Sequence, residues 1–484
     1  MLNPVIKGKK GVFALGSLAC VAALVACSNA TSSGNTSSQS FGSSSAESSA
    51  SQNYVAYDPS VYGDPTALSA DITFWTTTGH QNQDALSAIT QAFNQVYPNI
   101  NVNILAQGAY SDIQTKINDA IPSGTTPTIA YCYPDHVANY LAAGAVMDIQ
   151  NFVNDPTIGF LAANEASEGH HSENGMDVYG TDDYVKAYWD EGTAYQLPGL
   201  YSVPFTKSTE ALYYNKTIFD EMGWSVPETW DDLWSLCDTI KGQNPDYVPF
   251  GYDSDSNLFI SALASNGIPY TSSTGAHYLF NNAAAKTLVQ NWVSKVNAGE
   301  FETQGTLPNS SYTSTDFIQQ KTLMIVSSTG GASYADTDNF DVGVAPLPIY
   351  AGHELQVISQ GPSICFFQRG SWAQKYAAWL FYKFCTSAEW SARFAVASTG
   401  YNPVRVSSYD TDYYTGYLAE SADTIYGRTA TVTEAFQDNM FYSPVFVGSS
   451  AARDAVGKIL TLVVQTNLTV DEAFQQVYDE CVAG

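Results

Sequence analysis

Between Asp71 and Tyr131 the apolar pattern switches between a two-residue and a 3.6-residue period, and this limits the architectures open to the chain. "DITFW" (71–75) alternates as a half-buried strand does. "DALSAITQAFNQVYPN" then places Leu86, Ile89, Phe93 and Val96 on one helical face before Pro98 and Asn99 stop it. "NVNIL" (101–105) alternates again, and "TIAY" (128–131) is a short β-prone run. Strands separated by helices in units of about thirty residues predict an α/β fold with a largely parallel sheet, whose ligands bind at the carboxyl ends of the strands. Further on, Thr229 is the expected N-cap of a helix, with Asp232 three residues on and Leu233, Leu236 and Ile240 on one face. Thr386 and Glu389 suggest a second capping box inside an aromatic helical region over 371–398 that Gly400 ends. The stretch from Asn154 to Gln196 is acidic and glycine-bearing with little period, and reads as an elaborated surface loop with a helical piece around 183–189.

The amino-terminal end carries a different kind of information. Lys7, Lys9 and Lys10 precede a charge-free, mostly apolar stretch from Gly11 to Ala26. That stretch is shorter than the ~20 residues a spanning helix needs, so residues 1–26 are expected to be an export signal rather than an anchor. It ends Leu24-Val25-Ala26-Cys27, which resembles the lipobox of bacterial lipoproteins and implies lipid modification of Cys27. From Ser28 to Asn53 there are twelve serines and one charge, Glu47. Such a chain has too little apolar surface to offset the entropy of ordering it. Residues 27–69 are therefore expected to be a lipidated cysteine and a leash that holds a folded body above the outer face of the cell membrane.

Some 415 residues follow the leash, more than one hydrophobic core usually serves, so two lobes are expected. The formal charge of −28 repels phosphate backbones and argues against nucleic acid as a partner. With Cys27 assigned to the lipobox, Cys132, Cys237, Cys365, Cys385 and Cys481 remain downstream, an odd number without CxxC spacing. That set indicates neither a disulfide framework nor a zinc site, and buried free thiols are the expectation. No GxSxG elbow, Walker loop or HExxH is found. "DSDSN" (253–257) begins like a calcium loop, but Leu258 stands where glycine must allow the turn and Ala264 where a bidentate glutamate is needed. Neither a metal nor a cofactor is implied.

The most specific stretch is "LYSVPFTKSTEALYYNKTIFDEMGWSVPETWDDL" (200–233). It resembles the crossover segment of the extracellular solute-binding proteins (family 1) of carbohydrate-importing ABC transporters. "ITFW", "FIQQKTLMIVSSTGG" (317–331), "GPSICFF" (361–367) and "AWLFYKFCTSAEWSARFAVASTGYNPVR" (378–405) fall in the order of that family's other landmarks. The resemblance implies a two-lobe, periplasmic-binding-protein-like fold of type II, each lobe a mostly parallel sheet flanked by helices, with ligand in the interlobe cleft. On this basis 70–207 with 329–361 form lobe 1, and 208–328 with 362–484 form lobe 2. The crossovers are expected near 204–212, 325–330 and 358–366.

Within the family the pattern is most similar to the branch that binds sn-glycerol 3-phosphate and related phosphodiesters. The resemblance implies ligand contacts from Tyr110 in "QGAY", Ser208, Ser327 or its neighbour Ser328 in the Ser-Ser turn, Gly361, Tyr401 of Thr-Gly-Tyr, and Arg453 in "GSSAARDAVGKI". Asp135 is the nearest equivalent of the family's glutamate after the third strand, and Trp75 is a further candidate stacking face. The expected function is capture of a carbohydrate or glycerol-phosphate-type solute, without catalysis, and its delivery by a monomer to the membrane permease of an ABC importer. The alternatives are a lipid-anchored glycoside or phosphoester hydrolase, or a sensory or adhesive receptor on the same fold.

Overall fold

The computed structural model describes residues 54–160, 170–173, 176–466 and 468–483. The expected signal segment, Cys27 and the serine run to Asn53 lie outside these residues. The folded body begins earlier than residue 70. Tyr57 is buried, the Tyr54 hydroxyl donates to the Asp155 carboxylate at 2.5 Å, and Asp58 caps a turn of helix over Pro59–Tyr62. Residues 54–69 are therefore packed chain rather than leash, because three tyrosines in nine residues supply the apolar surface that the serine run lacks.

Two five-stranded sheets form the frame. The first runs, edge to edge, Ile100–Ala106, Ala70–Thr76, Ile129–Cys132, Ser363–Phe366 and Val203–Pro204. The second runs Val342–Ala345, Glu210–Asn215, Thr322–Ser328, Val248–Tyr252 and Phe301–Thr303. Both sheets are mixed rather than mostly parallel. In the first, Ser363–Phe366 is antiparallel to both neighbours, and in the second Glu210–Asn215 is antiparallel to both of its own. Each of these strands is the first the chain forms after crossing from the other lobe, so it enters its sheet from the opposite end.

This topology corrects the expected lobe boundaries. Val342–Ala345 belongs to the second sheet, so 329–345 is not part of lobe 1, and Ser363–Phe366 belongs to the first, so lobe 2 does not resume at 362. The helices Trp372–Cys385 and Ala388–Ser398 also pack on the first lobe, while Ile425–Ala435 packs on the second sheet. The crossings therefore lie at 205–209, 346–362 and 399–424. The expected crossover at 325–330 does not cross: it is the end of a second-sheet strand followed by a helical turn over Thr329–Tyr334. The three crossing segments are laced together. Ser208 and Gln360 exchange backbone bonds of 3.0 and 2.8 Å, and Lys207 and Asn402 exchange bonds of 3.3 and 2.6 Å.

Locally, much of the chain follows its sequence grammar. Leu86, Ile89 and Phe93 are buried on the helix His80–Val96. Thr229 caps Trp230–Gln243 in a capping box with Asp232. The aromatic region divides into two helices, and here the cap differs from expectation. Ser387 is the N-cap of Ala388–Ser398, while the Thr386 hydroxyl turns back to the Tyr382 carbonyl at 2.9 Å. The capping box of this region is Ser371 with Gln374. Cys132, Cys237, Cys365, Cys385 and Cys481 are all buried and free. Among the described residues no helix is long and apolar enough to cross a membrane.

Candidate functional site

The carboxyl ends of the first-sheet strands, the crossing segments and the helix Ser449–Val456 surround a cavity of about 620 Å³ between the lobes. Tyr110, Ser208, Ser327, Gly361, Tyr401 and Arg453, all named by the resemblance, line it together. It adjoins a more open space of about 540 Å³ that shares Tyr110, Gly330, Tyr334 and Tyr401. Asp135 lines a separate, smaller cavity of about 40 Å³, shared with Tyr133, Gly361 and Arg453. Trp75 lines none of these cavities. It is half-buried and packs against the core of lobe 1.

The local backbone explains why glycine accompanies each key tyrosine. Gly108 has φ +117°, a conformation that L side chains rarely adopt, and this lets the Asp112 carboxylate return to the Ala109 N–H at 2.8 Å and start the helix on which Tyr110 is the first residue. Gly400 has φ +110°, and a Cβ there would sit 1.9 Å from the Thr329 carbonyl oxygen. That contact brings Tyr401 against Gly330, where any side chain would meet the Tyr401 ring at 2.9 Å.

Aromatic faces make up much of the wall. Tyr110 and Tyr133 have ring centroids 4.4 Å apart, and Tyr312 and Tyr334 stand exposed at the rim. Burial pushes the phenols of Tyr110 and Tyr401 above their ordinary range, so both remain neutral donors and acceptors at physiological pH. Gln360 accepts from the Ser328 hydroxyl at 2.8 Å, and its amide nitrogen lies at the cavity wall, buried and without a protein partner. A buried donor left unbonded is costly, and a ligand oxygen would satisfy it.

Charge is concentrated on the lobe 2 side. Arg453 donates through Nη2 to the Asn257 Oδ1 at 2.7 Å, and its guanidinium lies 5.7 Å from the Tyr133 ring centroid. Asn257 Nδ2 in turn donates to the buried carboxylate of Glu210 at 2.9 Å, and the Tyr252 hydroxyl donates to the other Glu210 oxygen at 2.6 Å. Burial pushes Glu210 up to about 7, against the lowering effects of Tyr252, Asn257 and Arg453. Asp253 accepts from the Thr313 hydroxyl at 2.8 Å and the Ser314 N–H at 3.1 Å. Asp255 accepts from Thr303 and from the Gly305 N–H, and Ser254 caps its helix, so the "DSDSN" stretch is built into protein contacts.

Tyr133, Glu210 and Gln360 were not named from the sequence, and Asp253 and Asn257 entered only as part of the rejected calcium loop. Tyr133 immediately follows the strand Ile129–Cys132, so the carboxyl-end rule pointed to it. Glu210 opens the run "ALYYN", and its burial follows from the partners that the fold brings to it, since an unpaired glutamate is almost never fully buried. Asn257 and Gln360 carry no sequence signal of their own.

The lobes also touch away from the crossings. Gln114 of lobe 1 donates to the Ser450 hydroxyl of lobe 2 at 3.3 Å, and the Gln196 amide donates to the Ser273 carbonyl. The arrangement is that of two lobes closed on a polar, tyrosine-lined space.

Comparison with known proteins gives this geometry a family. Over 235 residues the chain is 25% identical to the sn-glycerol-3-phosphate-binding periplasmic protein of Rhizobium meliloti, a match covering 46% of this chain and about half, 53%, of that relative. In fold it is similar to an ABC substrate-binding protein from Listeria monocytogenes in complex with cycloalternan, at a TM-score of 0.70 and 15% identity, covering 86% of this chain and 98% of that one. It is likewise similar to a Mycobacterium tuberculosis protein solved in complex with glycerophosphocholine, at 0.69 and 19%, with coverage of 86% and 98%. Residues 88–420 match the family described as bacterial extracellular solute-binding protein, and the chain, with its two lobes and shared cavity, belongs to that family.

Proposed function

We propose that this protein is the capture component of an ABC importer, holding a carbohydrate or glycerol-phosphate-type solute between its lobes and handing it to a membrane permease. The observation that carries the reading is the convergence of Tyr110, Ser208, Ser327, Gly361, Tyr401 and Arg453 on one 620 Å³ cavity at the crossing segments. Residues more than 300 positions apart meet there, on both lobes and the hinge. A solute that bridges them favours the closed arrangement by the contacts it makes to both sides at once. Micromolar capture needs about 8 kcal/mol of net binding energy, within reach of a few hydrogen bonds and one or two stacked rings.

The reading is of binding without a catalytic step. Among the described residues, Glu210 at the cavity wall is held through both oxygens by Tyr252 and Asn257, and Asp253 through Oδ1 by Thr313 and Ser314. Relatives named for solute binding support the same conclusion. The protein would act as a monomer tethered outside the membrane through lipid on Cys27. Labelled fatty acid incorporated into the full chain, and lost on Cys27→Ala, is the expected result for the tether.

Calorimetric titration with maltose-type oligosaccharides, mono- and disaccharides, glycerol 3-phosphate and glycerophosphocholine tests the solute. Saturable binding of one class, weakened by Tyr401→Ala and with the ligand recovered unchanged, is the expected outcome. Product formation would replace the receptor with a hydrolase.

A further inference from the structure

Among the described residues, Arg453 is the only cationic side chain lining the larger cavity, and Glu210 and Asp253 line it too. The wall thus presents one positive group against two acids. Arg453 is also tied to one of those acids by a continuous chain, Arg453 Nη2 to Asn257 Oδ1 at 2.7 Å and Asn257 Nδ2 to Glu210 Oε1 at 2.9 Å. An amide can face both ways only in this orientation, so the asparagine relays the carboxylate's charge to the guanidinium.

We propose that Glu210, acting through Asn257 on Arg453, sets the cleft to select uncharged polyhydroxy solutes over phosphate-like dianions at neutral pH, and that protonation of this carboxylate relaxes the selection. The inference rests on the cavity being the solute site. A hydroxyl both donates and accepts, so a sugar can receive from Arg453 and Gln360 while giving to Asp253 or a tyrosine oxygen. A dianion only accepts, and it would bring two charges into a buried space whose single cation is already offset.

The groups facing Glu210 are Tyr252 at the end of Val248–Tyr252, Asn257 on Asp255–Ser265, Arg453 on Ser449–Val456, and Asp253, whose charge raises its pKa further. Burial holds Glu210 near neutrality, so its protonation is accessible in ordinary surroundings. Glu210 is a positioning residue here: it shapes what Arg453 offers rather than serving as the main ligand contact.

Sulfate tests the proposal, since its charge is constant across the working range. Isothermal titration at fixed ionic strength compares the wild type, Glu210→Gln, and Glu210→Gln with Arg453→Ala, at about pH 6 and about pH 8, with maltotriose as the neutral probe. At the higher pH, Glu210→Gln is expected to bind sulfate about tenfold more tightly than wild type, with maltotriose changed by less than about threefold. The wild type gains sulfate affinity as pH falls and Glu210→Gln does not. Adding Arg453→Ala abolishes the gain, which separates the cleft cation from the overall charge of the chain.

Equal sulfate binding by wild type and Glu210→Gln at the higher pH overturns the proposal, as does a gain that survives Arg453→Ala. If Glu210→Gln does not fold, the wild type and Arg453→Ala decide it: a gain on acidification is expected in the first and lost in the second, and no gain in the wild type overturns it. If no solute of either class binds the wild type while the sulfate pattern holds, the importer reading fails and the role of Glu210 stands.

Discussion

Gly361 shows how a single residue can join the site to the hinge. Its φ of +84° belongs to the left-handed region, and an added Cβ would approach the Ser208 N, Lys207 Cα and Thr206 O at 2.9–3.0 Å, all of them backbone. Gly361→Ala is therefore expected to cost at least about 1–2 kcal/mol from backbone conformation alone. A lowered urea midpoint at unchanged denaturant slope is the check. A midpoint equal to wild type would mean that the crossing segments are not pressed together as described. The resemblance named Gly361 as a ligand contact, and the structure adds a packing reason for glycine there. Arg453 was legible in the same way, through its motif. Its coupling to Glu210 was not, since nearly 250 residues separate them and no spacing rule reaches that far.

At the scale of elements, Arg405 ties the stretch from Met176 to Asp190 to the aromatic helices. It is 1% exposed, donates to the Gly180 carbonyl at 3.0 Å and the Tyr179 carbonyl at 3.2 Å, pairs with Asp183, and lies 4.0 Å from the Tyr184 ring centroid. Arg405→Ala would remove the donor of the Gly180 and Tyr179 carbonyls, while Asp183 keeps its bonds from the Ser407 N–H and hydroxyl, at a cost of roughly 1–3 kcal/mol for each carbonyl left unbonded. Amide exchange should then rise in Met176–Tyr179 before it rises in the sheets. Uniform protection with unchanged stability would contradict the role. The acidic stretch from Asn154 was expected to be a surface loop, and its helix Lys186–Asp190 overlaps the expected piece over 183–189. Its attachment was not visible, because a buried arginine reads in sequence like any exposed one. The expected cap at Thr386 missed by one residue for a similar reason. Two hydroxyls stand side by side, and only the turn between the helices decides which one faces the free N–H groups.

For the whole molecule, two buried glutamates make stability depend on pH in an unusual direction. Burial pushes Glu302, which accepts from the Thr322 hydroxyl at 2.6 Å, up to about 7, as it does Glu210. Both values are raised above the unfolded one, so their contribution is fully present below about pH 4.5 and is lost as pH rises through about 7. The urea midpoint should therefore fall between about pH 5 and pH 8, with Glu302→Gln removing part of the decline, up to roughly 3 kcal/mol. A midpoint that rises with pH over this interval would refute the assignment. The Gln114–Ser450 and Gln196–Ser273 contacts bridge the lobes at the cleft's edges. These contacts belong to the closed arrangement, so a solute that selects it from a population with open lobes is expected to lower the radius of gyration measured by X-ray scattering, and no change on saturation would count against hinge closure.

The sequence by itself determined the α/β class, the principal strands and helices and the free buried thiols, and the family resemblance it carries named six residues that converge on one cavity. Local periodicity, capping chemistry and short motifs act over a few residues and can be read there. The tertiary structure alone decided the direction of the post-crossing strands, the division of 329–366 between lobes, the placing of Trp75 outside the cavity wall, and the tie from Glu210 through Asn257 to Arg453. Each of these depends on which distant segments meet, and that follows from burying both sheets' apolar faces at once, a global condition that no local window of the chain contains.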